Sequence, residues 1–342
     1  MSTMVPDVLR DAGGLVVPRL QQALDVLSPE NRQVLDYHMG WRDAAGQPVQ
    51  RRGSKSVRPG LALLSAAAVG GSAEDGMPGA VAVECLHNFA FLHDDVQDGD
   101  RHRRQRETAW VVFGIGRALN AGTAMLVLGH QTVLDAPSPH REAALRLLVR
   151  TCATMLTGQG LDLAFEPRLD VTVEESMAMT RGKTAALLSC ATSIGAVLVA
   201  GETDASRALH EFGTQVGIAF QARDDLLGIW GRPDQQGGRP PGFDLTAGKG
   251  TLPIAVALQA GGPASDELRE ILGSPGFGPD TDPARVARAA ELVTAAGGRA
   301  WTEDMARRCV ADAEKIVGEL DVTPQVRDGL IAVARMGLPD DV

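Results

Sequence analysis

Residues 81–100, VAVECLHNFAFLHDDVQDGD, join a long apolar run to a cluster of aspartates. Helical periodicity over 78–99 places Asp94 and Asp98 four residues apart, on the same side of one helix. Like charges at this spacing destabilise a bare helix, so a compensating partner is expected. Mg²⁺, which prefers carboxylate oxygens, water and substrate phosphates, is the natural candidate. A solvated acidic helix face is the alternative interpretation of the same residues.

The same helical periodicity recurs along the chain. Further segments with this period lie at 15–37, 58–71, 107–135, 139–166, 171–200, 204–231, 249–260, 283–298, 301–319 and 323–336. Pro- and Gly-rich stretches separate them, and no alternating segment is long enough to indicate a strand. The pattern predicts one all-α domain over 1–342, a large helical bundle, with 1–14 as a flexible N-terminus. The loops at 231–248 and 262–283 are expected to be mobile.

Composition and charge restrict the class of protein. The chain has 342 residues, 44% hydrophobic and 22% charged, as in a globular protein with a substantial core. Its net charge of −10 disfavours a nucleic-acid partner, despite the basic cluster at 101–106. The four cysteines are far apart and form no CxxC pair, which indicates reduced thiols in the cytoplasm. The first residues lack a basic head followed by an apolar core, so no signal peptide is expected.

An uncharged segment, TAALLSCATSIGAVLVAG at 184–201, reaches the lower length limit of a membrane span. It is rich in Ser, Thr, Ala and Gly, and Lys183 directly precedes it. These features favour a buried helix of a large bundle, and no integral membrane span is expected.

A second acidic pair lies in FQARDDLLGIWG, residues 220–231, where Asp224 and Asp225 interrupt an apolar helix. Buried carboxylates without partners are costly, so each requires a counter-charge or a hydrogen-bond donor. Two acidic clusters on two helices could face each other across a cavity, with metal ions and a polyphosphate between them. A salt bridge to Arg223 or another arginine is the alternative.

Basic residues near glycines and helix starts supply what an anionic substrate requires. Arg and Lys side chains, together with helix N-termini, bind phosphate by charge and by direct hydrogen bonds. The candidates are Lys55 and Arg58 in RRGSKSVRPG, Arg103 and Arg104 after the first acidic motif, Lys183 in TRGKTAALLS and Lys249 in FDLTAGKGTLP. Each could be an ordinary surface residue, but together with two acidic pairs they indicate a site for an anionic substrate that carries phosphate.

Several motifs now occur in a family-specific order. These are GSKSVRP at 53–59, HDDVQDGDRHRR at 93–104, GQGLDL at 158–163, Lys183–Thr184, FQARDD at 220–225, and Asp244 followed by Lys249. The chain therefore resembles the trans-isoprenyl diphosphate synthases, the polyprenyl synthetase family, from about Leu20 to its C-terminus. The resemblance implies an all-α bundle around a deep central cavity, usually a homodimer.

The resemblance also implies a reaction. An allylic diphosphate ionises, the C4 alkene carbon of isopentenyl diphosphate attacks the cation, and a proton leaves to diphosphate. Metal ions and basic side chains would neutralise the leaving group as its charge develops. Three Mg²⁺ ions are implied.

Residue roles follow from the same resemblance. The metal ligands would be Asp94, Asp98, Asp224 and Asp225. The allylic diphosphate would be held by Arg103, Lys183 and Lys249, and isopentenyl diphosphate by Lys55, Arg58, His87 and Arg104. Thr184 and Gln221 would lie beside the carbocation. With Lys183, these last two form the expected catalytic set. A core histidine bonded to backbone is the alternative for His87.

Two features modify this prediction. The second acidic motif has Gly228 where the family usually has its last aspartate. Phe89 and Ala90, the fifth and fourth residues before Asp94, resemble the large and small pair of C20 producers, so geranylgeranyl diphosphate is the expected product. A class I terpene cyclase on the same scaffold, or a non-catalytic subunit of a prenyl synthase, are the alternative functions.

Overall fold

The structure, a computed structural model, describes residues 7–49, 57–103, 106–166, 168–235 and 239–339, with side chains described from residue 12. These residues are predominantly α-helical, and the all-α prediction is confirmed. The helices are α1 (Asp7–Ala23), α2 (Pro29–His38), α3 (Val57–Ala68), α4 (Ala73–Gln97), α5 (Ala109–Phe113), α6 (Ile115–Leu134), α7 (Arg141–Phe165), α8 (Val173–Thr180), α9 (Ala186–Ala191), α10 (Ile194–Ala200), α11 (Asp204–Trp230), α12 (Phe243–Thr246), α13 (Leu252–Ala260), α14 (Pro263–Leu272), α15 (Pro283–Ala295), α16 (Gly298–Glu319) and α17 (Pro324–Arg335).

Three short elements complete the described chain. A 3₁₀ turn at Leu24–Val26 follows α1, and a π-helical turn at Arg181–Ala185 joins α8 to α9. Strands β1 (His102–Arg103) and β2 (Arg106–Glu107) form an antiparallel hairpin directly after α4. The hairpin therefore lies where the first acidic motif ends.

The chain divides into two compact units. The first comprises Met1–Cys152, Leu187–Gly213 and Ile316–Val333, and the second comprises Ala153–Ala186, Thr214–Lys315 and Ala334–Val342. The dividing positions fall within helices α7, α9, α11, α16 and α17. The prediction of one domain over 1–342 with a flexible segment at 1–14 stays a prediction.

In the first unit, α4 packs against α3, α6 and α10. Its core contains fully buried Leu61, Leu86 and Met125. Helices α3 and α10 approach closely because Gly195 has no side chain: a Cβ there would overlap the Ala62 carbonyl oxygen. This packing holds α4, which carries the first acidic motif, against three neighbouring helices.

The second unit has its own apolar core. Buried side chains from α11, α12, α13, α14 and α15 form one cluster, which includes Ile229, Leu245, Ile254, Leu268 and Leu292. The cluster includes Ile229, one turn after Asp225 on α11, so the acidic pair of α11 lies next to a packed apolar core.

Several predicted helices are interrupted. The segment 15–37 is divided before Pro29, where the Ser28 side chain accepts a hydrogen bond from the Asn31 amide and begins α2. The segment 107–135 is divided at Gly114, whose φ of 88° ends α5. The segment 171–200 breaks before α10, where Thr192 and Ser193 hydroxyls donate to backbone carbonyls of the preceding turn.

Both predicted loops were wrong in part, because α12 occupies Phe243–Thr246 within 231–248 and α14 occupies Pro263–Leu272 within 262–283. Pro263 suits the first helical position, and Leu268 buries its side chain against the core of the second unit.

In the part of the chain that the structure describes, no single helix is both long and apolar enough to cross a membrane, although Val173–Ala191 together with Ile194–Ala200 meets the test as a bent pair, by length and composition only.

Candidate active site

The first acidic motif occupies the last turn of α4. Asp98 caps the helix, and its backbone N–H donates to the Asp94 carbonyl oxygen at 2.8 Å. Asp94 and Asp98 are therefore one helical turn apart, as the spacing predicted, and both side chains are partly buried. Two hard oxygen donors at this separation fit Mg²⁺, which takes one or two carboxylates and completes its shell with water and phosphate.

The middle aspartate of the motif has a different role. Asp95 is 2% exposed, and its Oδ1 accepts a hydrogen bond from Arg103 Nε at 2.5 Å. Burial raises the pKa of Asp95 above its ordinary value, against the opposing effect of Arg103. The Arg103 guanidinium also lies 3.3 Å from Asp100 and 4.5 Å from the centre of the Phe91 ring. Asp95 thus fixes Arg103, which the hairpin presents from β1.

A cavity of about 690 Å³ opens beside this arginine, lined by residues of the first unit. Three residues predicted to bind substrate, Arg58, His87 and Arg103, line it. Arg58 Nη1 lies 3.4 Å from His87 Nε2, and the His87 ring packs against Phe91 at 4.2 Å between centres. The structure thus brings together the described part of the predicted isopentenyl diphosphate site. Lys55 and Arg104 lie outside the described residues.

Polar residues that the sequence did not single out line the same cavity. The Asn88 amide donates to Glu84 Oε1 at 3.1 Å, and its Oδ1 lies 3.1 Å from His38 Nε2. The spacing of Glu84 and Asn88, four residues apart on α4, could have predicted their contact. The contact with His38 could not be predicted in this way, because His38 lies 50 residues from Asn88 in the sequence.

The second acidic pair lies on α11, and its two members differ. Asp225 is 1% exposed; it accepts a hydrogen bond from Gln221 Nε2 at 2.7 Å and another from the Leu252 amide at 3.1 Å. Burial, and the charge of Asp244, raise the pKa of Asp225 well above its ordinary value. Asp225 therefore holds Gln221 and the start of α13, whereas Asp224, one residue earlier, is exposed.

Gln221 connects Asp225 to Thr184. Its Oε1 accepts a hydrogen bond from the Thr184 hydroxyl at 2.5 Å. The two oxygens predicted to face a carbocation are thus direct neighbours, and Asp225 sets the amide so that Oε1 points to Thr184.

Two predicted diphosphate ligands converge on one carboxylate. Lys183 Nζ donates to Asp162 Oδ2 at 2.5 Å, and Lys249 Nζ lies 3.6 Å from the same oxygen. Lys249 also donates to Glu166 Oε1 at 2.8 Å. Asp162 belongs to the GQGLDL motif and is buried. Glu166 had no motif to mark it.

Glycines determine where Lys183 lies. A Cβ on Gly158 would overlap the Lys183 amide nitrogen and lie 2.9 Å from the Gly182 Cα. Helix α7 can approach the π-helical turn only because both positions lack side chains. This close contact brings the turn that carries Lys183 to Asp162 on the same helix, α7.

The space left by Gly228 is filled. A Cβ built on Gly228 would overlap Oδ2 of Asp244 and lie 2.8 Å from its Oδ1. The Asp244 carboxylate thus occupies the position that a side chain at 228 would take. Desolvation raises the pKa of Asp244 to about 7, against the opposing charges of Arg239 and Lys249. A third carboxylate therefore stands near Asp224 and Asp225 although the motif itself ends in glycine.

Within the described residues, no group of three or more His, Cys, Asp or Glu side chains gathers closely enough to hold a metal ion alone.

Comparison with known proteins identifies the family of the chain. The Polyprenyl synthetase family model matches residues 40–292, and the chain belongs to that family. It is 40% identical over 333 residues to a (2E,6E)-farnesyl diphosphate synthase of Mycobacterium tuberculosis, which covers 97% of this chain and 88% of the relative. A geranylgeranyl diphosphate synthase of the same species is 38% identical over 327 residues, covering 93% of this chain and 89% of the relative.

A solved structure is similar throughout. The polyprenyl synthetase from Streptomyces coelicolor A3(2) superposes with a TM-score of 0.91 at 42% identity, covering 97% of this chain and 99% of that one. The protein is accordingly a trans-prenyltransferase of the isoprenyl diphosphate synthase type, and the predicted enzyme class is confirmed.

Proposed function

We propose that the enzyme condenses isopentenyl diphosphate with allylic diphosphates in a Mg²⁺-dependent reaction to give geranylgeranyl diphosphate. The observation that carries the proposal is the cavity that Arg58 and His87 line together beside Arg103, with Arg58 Nη1 3.4 Å from His87 Nε2. An enzyme that uses only an allylic diphosphate has no need of a second anion site, so this cavity favours condensation over cyclisation.

The allylic diphosphate is assigned to Arg103, Lys183 and Lys249. Ionisation breaks the allylic C–O bond and leaves diphosphate with the bonding electrons, so the step is fast only where that charge is neutralised. Lys183 and Lys249 are held ready for this by Asp162, since a carboxylate fixes both ammonium groups before substrate binds. Mg²⁺, when bound, supplies further positive charge to the leaving group.

The metal ligands are assigned to Asp94 and Asp98 on α4 and Asp224 on α11, with three ions expected. Asp225 was predicted to bind metal as well. Because both of its oxygens accept hydrogen bonds, we assign it the positioning of Gln221 instead.

The second substrate is assigned to Arg58 and His87, with Lys55 and Arg104 from the sequence pattern. The C4 carbon of isopentenyl diphosphate forms the new bond to the allylic cation, and the proton lost from the adduct passes to diphosphate. Thr184 Oγ and Gln221 Oε1 present partial negative charge that stabilises the cation during this step.

Product length is assigned from α4. Phe89 is 5% exposed and lies five residues before Asp94, about 7.5 Å along the helix axis. Ala90 lies one turn before Asp94 and leaves space. A buried phenyl ring at this depth supports a short product. One relative is named a farnesyl diphosphate synthase and another a geranylgeranyl diphosphate synthase, so C15 is the alternative length.

Homodimer formation is part of the proposal. Val127 and Leu134 lie two turns apart on α6 and are 60% and 50% exposed. The same face carries the uncharged Asn120, Thr123 and Gln131, which suits a contact with a second copy of the chain. Light scattering of the purified protein gives the mass directly, and a monomer at micromolar concentration would contradict this part.

One incubation tests the reaction. Purified protein receives Mg²⁺, isopentenyl diphosphate and a C5, C10 or C15 allylic primer, and products are identified by mass. A C20 product is expected. If the product is C15 only, the proposed chain length is wrong. A hydrocarbon formed without isopentenyl diphosphate would establish a cyclase. A protein that turns over no substrate alone but activates another synthase would be a non-catalytic subunit.

A further inference from the structure

The ring that would limit product length is supported by a second ring. Phe89 and His93 are four residues apart on α4, so their side chains project from the same side of the helix. Their ring centres are 4.6 Å apart with the planes inclined at 54°. Phe89 is buried and His93 is partly buried. The imidazole therefore lies against the phenyl ring and limits its rotation.

His93 is in turn held by α6. Its Nε2 lies 3.3 Å from the Leu119 carbonyl oxygen, which can only accept, so the imidazole donates through Nε2. A Cβ built on Gly122 would lie 2.7 Å from His93 Cδ2 and 3.0 Å from Nε2. The imidazole thus occupies space that only a glycine at 122 leaves open. It is confined by Phe89 on one side and by the α6 backbone on the other.

We infer that His93, seated against Gly122, positions Phe89 and so helps to determine product length; this inference rests on the proposed function. A phenyl ring that could rotate freely would admit a longer tail in part of the molecules. A ring that His93 holds against the backbone of a neighbouring helix stops the product tail at a single length. His93 is thus a positioning residue, which acts through Phe89.

Replacement of His93 tests the inference. His93→Ala removes the support, and we expect the ratio of longer products to the wild-type product to rise about twofold to tenfold, the range that corresponds to loss of one aromatic contact. His93→Asn keeps a donor for Leu119 but has no ring, so the same rise is expected. Unchanged product ratios in either variant would overturn the inference.

A double variant distinguishes positioning from a general disturbance. Phe89→Ala should lengthen the product by itself, and Phe89→Ala/His93→Ala should give the same distribution as Phe89→Ala alone, because His93 acts only through the phenyl ring. Additive lengthening would contradict this. The matched control is His130→Ala on α6, whose partly buried imidazole bonds to Leu126 of its own helix and should leave the distribution unchanged.

A variant on the other helix keeps the test valid if the His93 variants fold poorly. Gly122→Ala displaces the imidazole from behind and should also shift the product ratio, whereas Gly116→Ala, with no atom within 4 Å of its new Cβ, should not. A Gly122→Ala enzyme with the wild-type distribution overturns the inference. Failure of the proposed function is seen separately, since the wild-type protein would then elongate no primer.

Discussion

A side chain at position 228 is expected to destabilise the fold, because the Asp244 carboxylate occupies the space that it would take. Gly228→Ala adds one methyl group where the Asp244 carboxylate lies, at 2.8 Å from Oδ1 and in overlap with Oδ2. A relaxed carbon–oxygen contact is more than half an ångström longer, so the carboxylate must turn away from its position. Turning separates it from the charges of Arg239 and Lys249, which now favour its ionised form.

The expected cost is that of an overpacked site, about 1–3 kcal/mol of unfolding free energy. Helix α12, which carries Asp244, is held in place, because its N-cap Gly242 has a φ of 75° and the helix packs against α15. Restoring the family's aspartate with Gly228→Asp should cost more, since a second carboxylate would meet one that is already desolvated.

Urea denaturation of single and double variants measures this. Gly228→Ala should lose most of its cost in an Asp244→Ala background, with a coupling energy close to the single-variant effect. Gly160→Ala, in open space on α7, is the control and should stabilise by about 1 kcal/mol. A Gly228→Ala protein as stable as wild type, or a cost that persists without the Asp244 carboxylate, would refute the reasoning.

Three further variants report on other parts of the molecule. Gly195→Ala should destabilise by about 1–3 kcal/mol, because its methyl would overlap the Ala62 carbonyl; a wild-type melting curve would contradict this. Glu175, whose pKa is lowered to about 2 by Arg168 and the Thr172 amide, stabilises the fold above pH 4.5 and loses this effect as the pH falls towards 2, so Glu175→Gln should flatten acid unfolding in that window. His87→Ala should raise KM for isopentenyl diphosphate more than for the primer in steady-state kinetics; equal changes would remove His87 from that site.

Local spacing predicted the parts of the site that lie on one helix. Asp94 and Asp98 are one turn apart because an α-helix repeats every 3.6 residues. Gln221 and Asp225 meet for the same reason. Lys183 and Thr184 were predicted to be functional only because they match a family motif. Without that motif, the residues around them would have indicated an ordinary surface position.

Contacts across the chain could not be read in this way. Lys183 and Lys249 meet Asp162 from positions 21 and 87 residues away, and no periodicity encodes such a distance. The filled space at Gly228 depends on where α12 begins. The break near Thr192 and Ser193 arises from hydroxyl groups that bond to carbonyls, which a hydropathy pattern does not register.

The sequence of α14 has a pattern that predicts a helix, although the segment was assigned to a loop. Pro263 at the first helical position, followed by Leu268, Ile271 and Leu272 at helical spacing, is typical of an amphipathic helix. The preceding glycines, Gly261 and Gly262, are typical of a loop, which is why the sequence predicted a loop there.

The contact between Gly158 and Gly182 restricts how this enzyme can be redesigned. Each glycine would, with a Cβ, lie within 3 Å of the other's Cα, so neither position tolerates a side chain while its partner remains in place. The contact between the two main chains therefore fixes the turn that carries Lys183, and conservative exchanges around it are expected to leave the Lys183 ammonium at Asp162. Engineering toward other primers is therefore expected to proceed through side chains such as Phe89 on α4 rather than through these two glycines.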